Sequence, residues 1–279
     1  MKISIAVPSY NYGKYLSVCL ESIRCQTHED FEVLIADGGS TDGSLQVIQQ
    51  FCERDSRFSL ISRQDTGQVD AVIKAFSQAS GDIFCFLNAD DFYLCSDAFA
   101  AAVNAFADYK AIDVVTFSGF YVSESGQHVR PVRLRYHPFD HLGNMKLRSG
   151  ALQPATFWTR RVTERYPLRR EFDYSFDTVF FYESFQEFSW IELPKPIAAY
   201  RWHGGNKSAV ISAARTLELA RFERMKFGSL SIRAAYLSLV AALLFVACRV
   251  PVMGRLAART IRVVVNGMSY VTAYRLPSI

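Results

Sequence analysis

The segment at residues 81–91 most constrains the fold of this chain. It is a continuous apolar run that ends abruptly in Asn88, Ala89, Asp90 and Asp91. A short apolar run bounded by polar residues is typical of a buried strand, and open α/β sheets hold their ligands at the carboxyl ends of the strands. We therefore predict that the two carboxylates lie in a ligand crevice, where they are suited to a divalent cation. A solvated acidic turn that caps the next helix is the alternative.

The same pattern recurs through the first 118 residues. Short apolar runs at 2–7, 31–36, 58–62 and 112–118 are typical of strands, and amphipathic stretches at 15–24 and 45–51 are typical of helices between them. This alternation predicts βαβ units and a mostly parallel α/β sheet. Neither GxGxxG nor GxxxxGK[ST] occurs, so dinucleotide cofactors and P-loop chemistry are not indicated.

The loop at residues 37–44 is rich in glycine, serine and aspartate. Its glycines permit positive φ and the close approach of a ligand, while Ser40, Thr41 or Asp42 is suited to cap the next helix. Asp37 is then expected to be free at the strand edge, where it can accept from a base N–H or a ribose hydroxyl. A glycine-rich turn with a capping aspartate is the alternative.

Four blocks, at residues 7–11, 37–44, 67–74 and 81–91, resemble in this order the successive blocks of family 2 glycosyltransferases. The resemblance continues more weakly through 153–158, 172–182 and 200–208. It implies an α/β GT-A (Rossmann-like) fold, with a mixed, mostly parallel sheet flanked by helices. The implied catalytic domain is 1–207, with a nucleotide-sugar-binding half at 1–118 and an acceptor-side half at 119–207.

The resemblance also implies a nucleotide-sugar donor, with a UDP-sugar expected first. The implied binding residues are Pro8, Tyr10, Tyr12, Asp37, Asp70, Lys74, Asn88, Ala89 and Arg201. Asn88 stands where the DXD-type block usually begins with an acid, and an amide is a poor metal ligand. Mn²⁺ or Mg²⁺ is therefore assigned mainly to Asp90, with Asp91 supporting and His203 reaching the metal or the pyrophosphate. Arg201 is suited to pair with a phosphate.

Sugar transfer also needs a base for the acceptor hydroxyl. The matching block of the family implies Asp177 for this role, with Asp173, Glu171 and Glu183 as rivals and an N-cap as the alternative reading of Asp177. Direct displacement assisted by a base makes the enzyme an inverting transferase.

The acceptor side is implied to include Gln153 and Trp158, with Trp202 as a further stacking contact; core packing is the alternative for the aromatic residues. Nine arginines lie between residues 130 and 170. They suit an anionic acceptor such as a lipid diphosphate-linked sugar, or equally a solvated face.

The remaining residues, 208–279, carry ten Lys or Arg against two Glu. Their apolar run at 234–248 makes a helix of only about 22 Å, short of the roughly 30 Å hydrocarbon core. Arg255, Arg259 and Arg262 follow on one helical face. We predict a basic, apolar helical extension that attaches to an anionic membrane surface. A hairpin packed on the catalytic domain or on a second subunit is the alternative, and a spanning helix with snorkelling arginines is less favoured.

The six cysteines show no zinc-site spacing and indicate buried thiols in a reducing compartment, and no apolar leader precedes the first strand. We expect a cytoplasmic glycosyltransferase, peripheral on the inner face of the cell membrane. Its partners are a nucleotide-sugar donor and a lipid-linked or saccharide acceptor, without nucleic acid.

A catalytically silent nucleotide-sugar-binding or assembly subunit is the alternative function. A sugar-phosphate nucleotidyltransferase is less favoured, because residues 7–13 lack its arginine-containing loop.

Overall fold

The computed structural model describes residues 1–62, 64–132, 151–204, 206 and 213–247. The strands are β1 (Ile3–Ser9), β2 (Phe31–Asp37), β3 (Phe58–Ser62), β4 (Ile83–Phe86), β5 (Phe92–Tyr93), β6 (Val114–Val122), β7 (His128–Val132), β8 (Thr156–Thr159) and β9 (Trp190–Arg201). The helices are α1 (Gly13–Arg24), α2 (Ser44–Arg54), α3 (Gln68–Phe76), α4 (Ala98–Asp108), α5 (Arg160–Arg165), α6 (Phe176–Glu187), α7 (Ala213–Phe227) and α8 (Ile232–Ala247). The strand and helix alternation predicted for the first 118 residues is confirmed.

The strands of the described part form one sheet in the order β3-β2-β1-β4-β8-β6-β9-β5, with β7 beside β6. Strands β1 to β4 are mutually parallel, and β6 is parallel to β9. Strand β8 runs antiparallel between β4 and β6, and β5 runs antiparallel to β9. The predicted mixed, mostly parallel α/β sheet is therefore confirmed.

Both faces of the sheet are buried, because the central strands are apolar on both sides. Along β1, Ile5 belongs to one apolar cluster with α1 and α4, while the next residue, Ala6, belongs to a second cluster with α3, α6 and α7. Among the described cysteines, Cys19 and Cys85 are buried thiols as predicted, whereas Cys52 and Cys95 are only partly buried and Cys25 is exposed.

The described part of the extension packs on the catalytic part. The ring of Phe222 in α7 lies 5.9 Å from that of Phe172 and 5.4 Å from that of Tyr182. The carboxylate of Glu218 accepts the hydroxyl of Ser175, just before α6, at 2.7 Å. Helix α7 therefore packs on the catalytic part, and α8 follows it; the predicted attachment to a membrane surface and its packed-hairpin alternative both stay predictions. The basic face at 255–262 lies outside the described residues, and the boundary at 207/208 stays a prediction.

Gly119 lies at a register shift where β6 meets β9. A Cβ added there would overlap the backbone carbonyl of Ala198. We expect Gly119→Ala to lower the free energy of unfolding by about 3 kcal/mol, because backbone atoms must move apart inside the sheet. Urea denaturation measures this. Gly204→Ala is the control, since an added Cβ there meets no atom within 4 Å; equal stability of the two variants would contradict the packing described here.

Candidate functional site

Three strands bring their carboxyl ends to one edge of the sheet. Ser9 pairs with Asp37, so β1 and β2 end level, whereas Phe86 at the end of β4 pairs with Ala6, three residues before the end of β1. The loops that follow them, at residues 10–12, 38–43 and 87–91, therefore share this edge. The acidic pair lies at the end of β4, as the sequence predicted.

Asp90 is the centre of the site. Its Oδ2 lies 2.9 Å from His203 Nε2 and accepts an N–H from Asn206 Nδ2 at 2.8 Å. Asn206 Oδ1 in turn accepts the backbone N–H of His203 at 2.5 Å. All three side chains are more than nine-tenths buried. The fold thus joins Asp90 to His203, two of the three residues that the sequence assigned to the metal, although they lie far apart in the chain.

Asp90 and His203 fit a divalent cation that also binds a diphosphate. Mg²⁺ is usually held by one or two carboxylates while substrate phosphates and waters supply the remaining ligands, and imidazole is a suitable ligand for Mn²⁺. Within the described ranges, no three His, Cys, Asp or Glu side chains gather into a metal-binding group. A cation held by Asp90 and His203 would leave coordination positions for the oxygen atoms of a bound substrate.

Asn206 was missed by the sequence interpretation, although it lies in the block at 200–208. Removing its side chain leaves a buried carboxylate oxygen of Asp90 and the His203 N–H without this partner. We expect Asn206→Ala to lower the free energy of unfolding by about 1–3 kcal/mol. Thermal or urea unfolding measures this. Asn104→Ala on the exposed face of α4 is the control; an equal effect of both changes would contradict the assigned bonds.

Asp91 and Arg201 hold the acidic turn through hydrogen bonds to the backbone. Asp91 Oδ1 accepts the backbone N–H of Arg201 at 2.8 Å. The Arg201 guanidinium, in a residue only 5% exposed, donates to the carbonyls of Asp90 and Glu124, both at 2.8 Å. The predicted pairing of Arg201 with phosphate is wrong for this reason. The supporting role of Asp91 at a metal stays a prediction. Burial, together with the nearby charge of Asp90, raises the pKa of Asp91 well above its ordinary value.

Asn88 takes part in an amide network at the end of β4. Its Oδ1 accepts an N–H from Gln68 Nε2 at 2.6 Å, and its Nδ2 donates to Gln153 Oε1 at 3.3 Å. Gln153 also donates to the carbonyl of Phe86 at 2.6 Å. Gln153, predicted for the acceptor side, therefore lies directly beside Asn88. Gln68, at the first position of α3, was missed.

Asp37 is not free at the strand edge, which corrects the sequence prediction. It is buried, and its carboxylate accepts the backbone N–H of Ser40 at 2.8 Å and the Ser40 hydroxyl at 2.7 Å. Asn11, in a left-handed conformation with φ 57°, accepts the backbone N–H of Thr41 at 2.8 Å. Asp37 therefore shapes its own loop, which is tied to the loop after β1. A contact between Asp37 and a base stays a prediction.

The tyrosines near β1 differ in exposure. Tyr10 is 59% exposed, as a residue that stacks on a ligand would be. The ring of Tyr12 lies 6.1 Å from that of His203, and its pKa is raised, first by burial and then by the charges of Asp90 and Asp91. Tyr15, missed from the sequence although it lies one helical turn further on, has its ring 4.9 Å from the imidazole of His203.

Two other predicted donor contacts are buried side chains. Pro8 lies within β1, and Ala89 is almost fully buried in the core. A donor contact by the backbone of Pro8, which is what the sequence interpretation assumed, stays a prediction, as does the contact of Ala89.

Asp70 and Lys74 form a separate ion-pair cluster. The carboxylate of Asp70 lies 2.8 Å from Lys74 Nζ and 2.8 Å from Arg170 Nε. The bond from Lys74, followed by that from Arg170, outweighs burial and lowers the pKa of Asp70. Lys74 also donates to the carbonyl of Gln64 at 2.9 Å. Their predicted contact with the donor stays a prediction; in this cluster one carboxylate is shared by two cations.

Asp177 is the second residue of α6, and its Oδ1 accepts the backbone N–H of Thr178 at 2.6 Å. The N-cap position belongs to Ser175, so the N-cap alternative for Asp177 is wrong. Phe176, immediately before Asp177, packs 5.5 Å from the ring of Phe86 in β4. The start of α6 therefore lies beside the strand that carries the acidic turn.

The rival bases occupy different positions. Asp173 lies close in space to Gly67, the residue just before α3. A Cβ added to Gly67 would come within 2.7 Å of the Oδ1 of Asp173. Glu183 pairs with Arg169 at 3.1 Å, and Glu171 is exposed, 4.0 Å from the same guanidinium. Asp173 is thus the rival nearest to the ligand edge.

Trp158 was predicted to contact the acceptor, and this prediction is wrong. The residue is 1% exposed and packs among Phe76, Phe86, Phe180 and Phe181. Strand β8 is covered on both sides, so the core-packing alternative holds. Trp202 is half-buried.

The described arginines of the middle segment are mostly committed to partners. Arg160 donates to backbone carbonyls, while Arg161, Arg165, Arg169 and Arg170 pair with carboxylates. Arg133, Arg135 and Arg148 lie outside the described residues. These pairings do not favour an open anion-binding surface.

Comparison with known proteins gives consistent likenesses. The model of the family described as glycosyl transferase family 2 matches residues 4–166. The uncharacterized glycosyltransferase alr2836 of Nostoc is 42% identical over 92 residues, which are 33% of this chain and 29% of that protein. The chain covers less than half the length of the curated relatives it matches, from 18% to 44%.

Solved structures share the fold. TarS of S. aureus in complex with UDP-GlcNAc matches with a TM-score of 0.63 at 21% identity, over 88% of this chain and 73% of that one. The mannosyltransferase PcManGT from Pyrobaculum calidifontis, in complex with GDP-Man and Mn²⁺, matches with a TM-score of 0.60 at 16% identity, over 94% and 80%. The predicted GT-A fold is confirmed by these likenesses.

Proposed function

The chain belongs to glycosyl transferase family 2, and on that premise we propose that it is an inverting, metal-dependent enzyme that moves a sugar from a nucleotide-sugar donor to a lipid-linked or saccharide acceptor. The observation that carries the proposal is the junction of Asp90 and His203 at the carboxyl end of β4. Ligands of open α/β sheets bind at this edge, and a carboxylate beside an imidazole suits a cation on a diphosphate.

The donor is proposed to lie across the ends of β1, β2 and β4. TarS is known with UDP-GlcNAc and PcManGT with GDP-Man, both on this fold. The exposed ring of Tyr10 and the loop held by Asp37 suit the nucleoside, and Asn88 suits a ribose hydroxyl. We propose a UDP-sugar as the donor.

The diphosphate is proposed to meet Asp90 and His203. A bound Mn²⁺ or Mg²⁺ would supply charge that stabilises the departing nucleoside diphosphate. Asp90 and His203 would hold it, while Asn206 and Arg201 keep the Asp90 turn in place through its carboxylate and its carbonyl.

The base is proposed to be Asp177. As an acceptor hydroxyl attacks the anomeric carbon, its proton passes to the Asp177 carboxylate. The bond between the anomeric carbon and the diphosphate oxygen breaks on the opposite face, and the nucleoside diphosphate leaves with the bonding electron pair. A single displacement of this kind inverts the anomeric configuration.

The acceptor is proposed to be a lipid-linked or other surface-polysaccharide precursor, met at the inner face of the cell membrane. The basic composition of residues 208–279 supports this placement. No helix in the described ranges is both long and apolar enough to cross a bilayer.

A transfer assay tests the proposal. The full chain is incubated with UDP-, GDP- and dTDP-sugars, a membrane-lipid extract as acceptor, and Mn²⁺, Mg²⁺ or EDTA. Released nucleoside diphosphate is quantified, and the anomeric configuration of the product is read by proton NMR. We expect metal-dependent release from one donor class and an inverted product. A product with retained configuration, or equal release in EDTA, would contradict the mechanism.

A further inference from the structure

The turn between α7 and α8 carries the most exposed large apolar side chains of the described chain. Leu230 is 94% exposed and Ile232 is 87% exposed, and Met225 and Phe227 beside them are about half exposed. Single exposed apolar residues are ordinary, but a contiguous group marks a surface that something covers. We call these four residues the apolar tip.

The backbone of the turn is well defined by hydrogen bonds. Helix α7 ends where Gly228, with φ 88°, donates its N–H to the carbonyl of Arg224 at 2.9 Å. Helix α8 begins where the hydroxyl of Ser231 accepts the N–H of Ala234 at 3.2 Å. The apolar tip therefore lies at a turn in which the adjoining ends of α7 and α8 are both hydrogen-bonded.

The exposed apolar surface continues along α8. One face of this helix is buried against the protein through Ala234, Leu237, Val240 and Ala241. The opposite face leaves Leu239 and Leu243 at least half exposed. Within the described residues, this face of α8 therefore continues the exposed apolar surface of the tip.

The charge around the apolar tip selects the kind of partner. From Arg224 to Ala247 the sequence contains three basic residues and no Asp or Glu, and Arg224 and Lys226 are exposed. Further along the sequence, residues 248–279 contain five arginines and no Asp or Glu. A second copy would bring like charges together, whereas an anionic lipid surface attracts them and receives the apolar side chains.

We propose that the apolar tip inserts into the interfacial region of an anionic lipid bilayer. This inference extends the proposed placement at a membrane. It rests on the proposed function only for the statement that the acceptor is lipid-linked. The hairpin would hold the carboxyl edge of the sheet at a fixed distance from lipid-linked substrates.

Vesicle flotation of the full chain tests the inference. The lipids are phosphatidylcholine alone or mixed with phosphatidylglycerol. We expect binding to the anionic vesicles, and Leu230→Ser/Ile232→Ser is expected to weaken it by about tenfold or more. Val129→Ser on β7, which also removes a half-exposed apolar side chain, is the control and is expected to bind as the wild type does. Lys226→Gln is expected to weaken binding to the anionic vesicles only.

Several results would overturn the inference. These are no binding of the wild type to anionic vesicles, unchanged binding of the double variant, or a dimer in light scattering that the double variant loses while vesicle binding persists. Stabilisation by a nucleoside diphosphate with Mn²⁺ is measured on the same samples. If it persists while vesicle binding fails, the lipid inference fails and the proposed donor site does not.

Discussion

Replacing Asp90 by alanine is expected to lower the rate of sugar transfer by about 10³-fold or more. The change removes the carboxylate that meets His203 Nε2 at 2.9 Å and with it the charge proposed to hold the cation at the diphosphate. Loss of such charge stabilisation typically costs several kcal/mol in the transition state. Steady-state release of nucleoside diphosphate measures the effect.

Asp90→Asn separates charge from structure. This variant keeps the size of the side chain beside Asn206 but removes the negative charge, so we expect it to fold as the wild type does and to be nearly as inactive as Asp90→Ala. Full activity of Asp90→Ala with metal chelated would exclude the metal assignment. If both variants leave the measured rate of sugar transfer unchanged and a polysaccharide complex still assembles, the alternative of a catalytically silent subunit is favoured.

Asp177→Asn is expected to lower kcat by about 10³-fold while leaving the donor Kd within about twofold. The amide keeps the shape of the first turn of α6 but cannot take the proton of the acceptor hydroxyl. The measurements are kcat from transfer and donor Kd from calorimetry. A parallel loss of donor binding would indicate a structural role.

Asp173→Asn is the matched control, because Asp173 lies beside Gly67 and is the rival base nearest to the ligand edge. We expect it to lower kcat by less than about tenfold. A larger loss of kcat in Asp173→Asn than in Asp177→Asn would assign the role of base to Asp173. The start of α6 would then have a positioning role.

The strand ends were predictable because a continuous apolar run is typical of a strand buried on both faces, and the strand ends where the polar residues begin. The runs at 31–36 and 58–62 became β2 and β3, and the run before Asn88 became β4. The position of Asp90 at the ligand edge follows from this pattern alone. The antiparallel entry of β8 between β4 and β6 does not, since it depends on pairing between distant segments.

The errors share one cause, which is that residue type indicates chemistry while exposure is set by tertiary packing. An arginine before a histidine suits a phosphate, but Arg201 is enclosed between carbonyl groups and the rings of Tyr15 and Phe92. A tryptophan suits a sugar ring, but Trp158 lies on a strand covered on both faces. Asn206 was missed because its partner, Asp90, is more than a hundred residues away.

The most direct test of the central claim is thermal unfolding of the full chain with UDP-, GDP-, dTDP- and CMP-sugars, each with Mn²⁺, with Mg²⁺ and with EDTA. A ligand that binds only the folded state raises Tm by mass action. We predict that one nucleotide class raises Tm selectively, and that the rise disappears with EDTA and in Asp90→Ala. A rise of equal size in EDTA or in Asp90→Ala, or no rise with any of these donors, would contradict a metal-dependent nucleotide-sugar site at the end of β4.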